Sequence, residues 1–113
     1  MVDAVPNSLH QVKAELFKTL GHPARIRILE LLAERDHTVG ELLSEIGLEA
    51  SNLSQQLAVL RRAGVVMATK EGNTVVYSIA TPVIAELLAV ARKALTGLLT
   101  EQVAILDHLR ADR

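Results

Sequence analysis

Short polar side chains recur at helical spacing in residues 51–62. In the same segment Leu53, Leu57 and Leu60 follow one another at steps of four and three, so they define the buried face of a predicted helix. The polar side chains lie on or beside the opposite face: Ser51, Asn52, Ser54 and Gln55. Reading DNA bases in the major groove requires such short donors and acceptors on an exposed helix face. We therefore expect these four residues to contact bases or phosphates.

Individual residues of this segment suit different tasks. Gln55 is best suited to recognise a base, because its amide can pair with adenine through two hydrogen bonds. Arg61 and Arg62 are near the end of the helix and are expected to bind the phosphate backbone. Ser51 has a second interpretation as the N-cap of the helix, and each of the others could instead be an ordinary solvated side chain.

A shorter helix is predicted just before this one. Apolar residues recur at helical spacing in residues 39–46, with Thr38 as the N-cap and Gly47 as the stop. The two helices together predict a helix-turn-helix over about residues 38–63.

A β-hairpin is predicted next, over about residues 65–80. The runs VVMATK and TVVYSIA are rich in β-branched residues, and Gly72 and Asn73 lie in the turn between them. Lys70 and Asn73 are expected to meet the minor groove or phosphates, with an ordinary exposed hairpin tip as the alternative. A helix-turn-helix followed by a hairpin is the outline of a winged helix-turn-helix, which makes double-stranded DNA the leading partner.

Further helical patterns flank this motif. One helix ends at Gly21, a second begins at Pro23, and the longest pattern covers about residues 82–110. The apolar residues of the last helix alternate steps of four and three, as in a coiled-coil seam, although Gly97 could interrupt it. Because this apolar surface exceeds what so small a core can cover, we expect a second copy of the chain to pack on it. The predicted dimer contacts come from the first and last helices: Leu9, Leu16, Ile84, Leu88, Ala91, Leu95, Leu98 and Leu99.

The composition favours one domain over residues 1–113, mainly α with a small β-hairpin. Half of the 113 residues are hydrophobic and 22% are charged, which is ordinary for a folded protein. With one Phe, one Tyr and no Trp, the core must be aliphatic, and stacking on single-stranded nucleic acid is disfavoured. The absence of cysteine excludes disulfides and thiolate metal sites.

Charge and hydropathy restrict the partners further. A net charge of −1 predicts modest non-specific affinity for DNA and a weak dependence on salt. No secretory leader is visible and no apolar run approaches the roughly 20 residues of a membrane span, so we expect a cytoplasmic protein without a membrane partner. No nucleophile motif, phosphate loop or paired carboxylate is visible, so we expect no enzymatic activity.

Three segments in this order resemble the ArsR/SmtB family of bacterial transcriptional regulators: LGHPARIRILELL, LSQQLAVLRRAGVV and EGNTVVYSI. The resemblance covers roughly residues 16–99. It implies that the helix beginning near Ser51 is the recognition helix and that the first and last helices form the dimer interface. It also implies repression of a promoter until an effector, often a metal ion, binds.

The two metal sites implied by the resemblance are not preserved. The positions that match the family's thiolate site are Thr38 and Gly40. The positions that match its carboxylate and imidazole site are Thr81, Val83, Ala94 and Gly97. A nickel or zinc effector, each well represented in the family, would need other nitrogen and oxygen ligands. The candidates are His10, His37, Asp107 and His108, whereas His22 beside Pro23 looks structural.

Two alternatives remain open at this level. A DNA-binding regulator could be switched by a small apolar ligand or by a partner protein instead of a metal. The chain could also be an interaction module that uses its terminal seam to join another protein and does not bind DNA. We expect a homodimer on an inverted-repeat operator.

Overall fold

The computed structural model describes residues 4–111. In chain order the elements are α1 (Ala4–Leu20), α2 (Pro23–Glu34), β1 (His37–Thr38), α3 (Val39–Ile46), α4 (Ala50–Arg62), β2 (Val66–Glu71), β3 (Thr74–Ile79) and α5 (Pro82–Ala111). The predicted winged helix-turn-helix is confirmed, with α3 and α4 as the helix-turn-helix and the β2–β3 hairpin as the wing.

The core is aliphatic and centres on α2. This helix buries Ile28, Leu29, Leu31 and Leu32, in agreement with its apolar residues on most sides. The remaining buried apolar residues are Leu20, Leu42, Leu53, Leu57, Leu60, Val65, Val66 and Ile84. All the helices and the sheet therefore pack around one shared core, which holds α4 by its leucine face.

Local hydrogen bonds determine where α2 and α3 begin. His22 Nδ1 accepts a hydrogen bond from the Ala24 N–H at 3.2 Å, and Pro23 occupies the first turn, where its missing N–H costs nothing. Thr38 Oγ1 accepts from the Glu41 N–H at 3.2 Å, while Glu41 Oε1 accepts from the Thr38 N–H at 2.9 Å. Thr38 is thus the predicted N-cap of α3, as part of a capping box.

The sheet has three antiparallel strands in the order β1-β3-β2, whereas the sequence predicted only the hairpin. In the additional pairing His37 lies opposite Tyr77 and Thr38 opposite Val76. Two residues are too few for a period-two pattern to show in the sequence. This short strand ties the start of α3 to the base of the wing.

The wing closes through a two-residue turn of Gly72 and Asn73, between Glu71 and Thr74, which pair with each other. Gly72 has φ +65° and no residue other than glycine has a positive φ among those described. A positive φ at the first central position alone is the requirement of a type II′ turn, which glycine meets without steric cost.

The last helix is continuous over Pro82–Ala111, so Gly97 does not interrupt it. Ile84 is only 7% exposed and belongs to the core of the protomer, which corrects its prediction as a dimer contact. Leu16 and Leu88 also pack partly against that core. From Ala89 to Ala111 every side chain is exposed, including the predicted contacts Ala91, Leu95, Leu98 and Leu99. No helix within residues 4–111 is both long and apolar enough to cross a membrane.

Candidate nucleic-acid interface

The recognition helix α4 has one buried face and one polar face, as its spacing predicts. Leu53, Leu57 and Leu60 are buried, with at most 1% of each side chain exposed. The exposed polar and charged side chains along the helix are Ser51, Ser54, Gln55, Arg61 and Arg62. Because the leucines hold α4 against the core, its hydroxyl, amide and guanidinium groups are left facing outward.

The turn between α3 and α4 is three residues long and begins with a defined backbone conformation. Gly47 ends α3 in the left-handed conformation at φ +78°, and its N–H donates to the Leu43 carbonyl at 3.0 Å. The N-cap position of α4 is Glu49, whose side chain makes no capping hydrogen bond. Ser51 therefore lies inside the first turn, which removes its interpretation as the N-cap and leaves its hydroxyl exposed.

Asn52 differs from the other polar residues of this face because it is half-buried and already engaged. Its Oδ1 accepts a hydrogen bond from Gln56 Nε2 at 3.0 Å. Gln56 Oε1 in turn accepts from Arg25 Nε of α2 at 2.8 Å. Arg25 Nη1 also donates to the Thr19 carbonyl of α1 at 3.2 Å. A chain of hydrogen bonds thus joins three helices to the edge of the polar face.

Sequence reasoning missed Arg25 and Gln56 as parts of this site. The spacing of four between Asn52 and Gln56 could have indicated that pair, since residues i and i+4 are neighbours on a helix. Nothing local in the sequence indicates that Arg25, 31 positions before Gln56, meets it.

Two cations lie at the end of α4. Arg61 and Arg62 are exposed, and together with Ala58 they line a shallow concavity of about 340 Å³. Neither guanidinium forms a salt bridge with a carboxylate of the described residues, where the two ion pairs are Arg27–Glu30 and Arg35–Glu41. Both cations are therefore available to a phosphate.

Lys70 and Asn73 are exposed at the outer part of the wing. Lys70 pairs with Val75 in the β2–β3 ladder, one position before the pair that closes the turn, and Asn73 lies in the turn itself. The hairpin therefore carries one cation and one amide at its tip, as the sequence predicts.

The carboxylate of Glu41, in the first turn of α3, is engaged by residues just before that helix. The pKa of Glu41 is lowered from 4.5 because its carboxylate accepts the Thr38 backbone N–H and lies beside the Arg35 guanidinium, 3.2 Å away. The charge of Glu41 is thus compensated by the Thr38 N–H and the Arg35 guanidinium.

The metal-ligand candidates do not form a site within one protomer. Residues 8–111 contain no group of three or more histidine, aspartate or glutamate side chains suited to a metal ion. The candidate His37 is buried: it is only 3% exposed, and its Nδ1 lies 2.8 Å from the Arg35 carbonyl oxygen. His10 lies on α1, while Asp107 and His108 are near the end of α5.

Comparison with known proteins decides the family. Residues 22–68 match the model of a family described as bacterial regulatory protein, arsR family. An HTH-type transcriptional regulator of Mycobacterium tuberculosis, Rv0081, is 69% identical over 104 residues, or 91% of each chain. The chain belongs to the ArsR family. It is accordingly a DNA-binding transcriptional regulator and not an enzyme, and the interaction module without a DNA partner is set aside.

Solved structures of family members share the fold. The crystal structure of Rv0081 has a TM-score of 0.81 at 70% identity and covers 84% of this chain and 96% of that one. A homodimeric winged helix-turn-helix DNA-binding domain of Mycobacterium bovis, Mb0332, has a TM-score of 0.77 at 28% identity, covering 85% and 89%. A further relative, compared by sequence alone, is the biofilm growth-associated repressor of Agrobacterium fabrum. It is 41% identical over 75 residues, which are 66% of this chain and 64% of the repressor.

Proposed function

We propose that this ArsR-family regulator represses transcription as a homodimer on an inverted-repeat operator. The observation that carries the proposal is one protomer with a polar recognition helix facing outward and an apolar α5 left uncovered from residue 89 onward. A second copy packed on α1 and α5 relates the two α4 helices by a twofold axis. Each α4 then enters the major groove of one half-site, with half-sites about one helical turn (~34 Å) apart, or a multiple of it.

The contacts divide into base readout and backbone binding. Ser51, Ser54 and Gln55 present short donors and acceptors to the groove, and Gln55 is proposed to pair with adenine. The cations of α4 and the wing, Arg61, Arg62 and Lys70, bind phosphates, with Asn73 beside them. Three cations per protomer on a chain of net charge −1 predict affinity that depends on the fit of the whole dimer more than on charge.

The test is direct binding to DNA. Duplexes selected from a random pool by the wild-type protein supply the operator, and fluorescence anisotropy measures affinity for it and for a scrambled duplex. We expect Gln55→Ala, Arg62→Ala to weaken operator binding by at least about 30-fold, since a good base contact accounts for about 1–3 kcal/mol in each of the two half-sites. Arg27→Ala, which removes an exposed cation of α2, is the matched control and retains binding. Wild-type protein that selects no duplex, or a double variant that binds as before, would contradict the proposal.

Repression requires a means of release, and we propose that an effector acts through the terminal helices. The angle between the two α4 helices depends on how α1 and α5 pack across the dimer. An effector that favours one packing therefore changes operator affinity by a coupling of typically about 1–3 kcal/mol.

A nickel or zinc effector would need ligands from both protomers, since one protomer does not bring three candidates together within residues 8–111. His10 on α1 and His108 on α5, with Asp107 beside it, are the candidates on helices that meet in the proposed dimer. We expect titration calorimetry with Ni²⁺, Zn²⁺ and Co²⁺ to give binding that His10→Ala and His108→Ala each weaken. Equal binding by both variants removes these ligands, and an effector that is a small apolar ligand or a partner protein takes the place of the metal.

A further inference from the structure

The hydrogen bonds that run from α2 to α4 determine which way the Asn52 amide faces. An arginine side chain has only donors, so the partner of Arg25 Nε must be an oxygen, which places Gln56 Oε1 toward α2. The Gln56 NH₂ group is then on the other side of its amide and donates to Asn52 Oδ1 at 3.0 Å. Each orientation thus follows from the one before it.

The last group in this series of hydrogen bonds is the Asn52 NH₂. Because Oδ1 is turned toward Gln56, one helical turn further along α4, the NH₂ group points away from Gln56. No group among residues 8–111 accepts a hydrogen bond from it. Asn52 is also half-buried, so its amide has less freedom than that of the exposed Gln55 on the same helix.

We propose that Arg25 acts through Gln56 as a positioning residue that makes Asn52 a hydrogen-bond donor to DNA. The acceptor is the O6/N7 edge of a guanine, which takes donors only. Asn52 does not pair with adenine in this arrangement, because that pairing needs the amide oxygen and nitrogen side by side on the DNA. This inference rests on the proposed binding of α4 in the major groove and assigns Asn52 and Gln55 opposite preferences.

The junction of α1 and α2 is part of the same series of hydrogen bonds. Arg25 Nη1 donates to the Thr19 carbonyl, one residue before the end of α1, so the guanidinium is held by two partners on different helices. A shift of α1 relative to α2 would therefore move Arg25 and release the Asn52 amide. The first helix of the proposed dimer interface is in this way connected to the DNA-binding face.

A double-mutant cycle on the selected duplex tests the positioning role. Arg25→Met is expected to lower the ratio of operator to scrambled-duplex affinity about fivefold to tenfold. In an Asn52→Ala background the same change is expected to have an effect of less than twofold, because the group that Arg25 positions is gone. Arg27→Met on the same helix is the control and leaves the ratio unchanged. Additive effects of Arg25→Met and Asn52→Ala would overturn the inference.

A second variant distinguishes loss of the positioning role from loss of the folded structure. Gln56→Glu keeps an oxygen for Arg25 but has no N–H to donate to Asn52, so thermal stability is retained while the specificity ratio falls as in Arg25→Met. Because the added charge weakens binding to both duplexes, the ratio and not the affinity is the readout. An unchanged ratio in Gln56→Glu would overturn the relay.

Modified DNA identifies the acceptor. Replacing a guanine by 7-deazaguanine removes N7, and replacing it by 6-thioguanine exchanges O6 for a weaker acceptor, at one position at a time. At the contacted position the modification weakens wild-type binding and has no further effect on Asn52→Ala. If no guanine of the operator behaves so while wild type still binds its operator, the role of Asn52 as a donor to guanine fails and the proposed function stands. If wild type binds no duplex, the proposed function itself fails.

Discussion

At the scale of single residues, caps and turns determine where the recognition helix can be placed. Thr38 and Glu41 exchange hydrogen bonds at the start of α3, and Gly47 ends that helix in the left-handed conformation. Only three residues separate the end of α3 at Ile46 from the start of α4 at Ala50. A change of backbone conformation at these positions would therefore directly change the position of α4.

Loss of the cap at Thr38 should reduce stability. Thr38→Ala removes the oxygen that accepts the Glu41 N–H, and we expect the free energy of unfolding to fall by about 1 kcal/mol. Denaturant unfolding followed by circular dichroism measures this change. Thr100→Ala, at an exposed position within α5, is the control and should show no loss. Equal stability of Thr38→Ala and wild type would contradict the capping role.

The Glu41 carboxylate makes the same cap sensitive to acid. Its folded-state pKa is below 4.5, chiefly through the Thr38 N–H and then through Arg35, so the folded protein binds fewer protons here than the unfolded chain does. This stabilisation is present above pH 4.5 and is lost as the pH falls through the lowered folded-state pKa.

Glu41→Gln keeps an oxygen for the Thr38 N–H but has no charge to lose. We expect the decrease in unfolding free energy between about pH 6 and about pH 3 to be smaller in this variant than in wild type. Parallel denaturant titrations at the two pH values give the comparison. An identical decrease in both proteins would show that Glu41 does not contribute to acid sensitivity.

At the scale of elements, the wing and α4 are held in a common frame by the sheet. β3 pairs on one side with β2 and on the other with β1, the strand that leads into α3. The hairpin is therefore connected to the helix-turn-helix through backbone hydrogen bonds as well as through the core. This arrangement keeps the wing at a constant position relative to α4, as the proposed contact of both with DNA requires.

The cation of the wing should contribute to binding without reading sequence. Lys70→Ala is expected to weaken binding to operator and scrambled duplexes by similar factors. It should also lower the slope of log affinity against log salt by about one for each phosphate that the lysine neutralises. Anisotropy titrations at several salt concentrations measure both quantities, with Arg27→Ala as the control. Weakening confined to the operator would mean that Lys70 reads bases instead of phosphates.

At the scale of the whole molecule, one protomer leaves the apolar side chains of α5 uncovered. Large apolar side chains are more than half exposed on this helix, among them Val90, Leu95, Leu98, Val103 and Leu109. Helix α1 exposes Leu9, Val12 and Phe17 in the same way. A monomer does not ordinarily leave so much apolar surface in water, and the twofold dimer that we propose would cover it.

A charge placed in this surface should separate the protomers. We expect Leu98→Asp to shift the protein to a monomer in sedimentation equilibrium and to retain helical circular dichroism. Operator binding should weaken by at least about tenfold, because a monomer occupies one half-site at a time. Lys93→Asp is the matched control, since at about 100° per residue it lies opposite Leu95 on the helix. A dimeric Leu98→Asp protein would contradict the interface.

Periodicity in the sequence was sufficient for the architecture and for the exposed polar face of α4. The leucines of α4 and the seam of α5 follow helical spacing, and the turn residues of the wing lie where the strands end. These features depend on contacts between neighbours in the chain, which a pattern of a few residues records. The outward orientation of Ser51, Ser54 and Gln55 followed from the same pattern.

Only the tertiary structure decided the features that join distant segments. The pairing of β1 with β3 buries His37, and the packing of α5 on α2 and β3 takes Ile84 into the core. The hydrogen bonds from Arg25 to Gln56 and on to Asn52 likewise depend on how α2 crosses α4. Such contacts depend on the relative position of whole elements, so the residue types at each end do not reveal them. The sequence by itself determined which face of α4 is polar, whereas the folded chain decided which way the Asn52 amide on that face is turned.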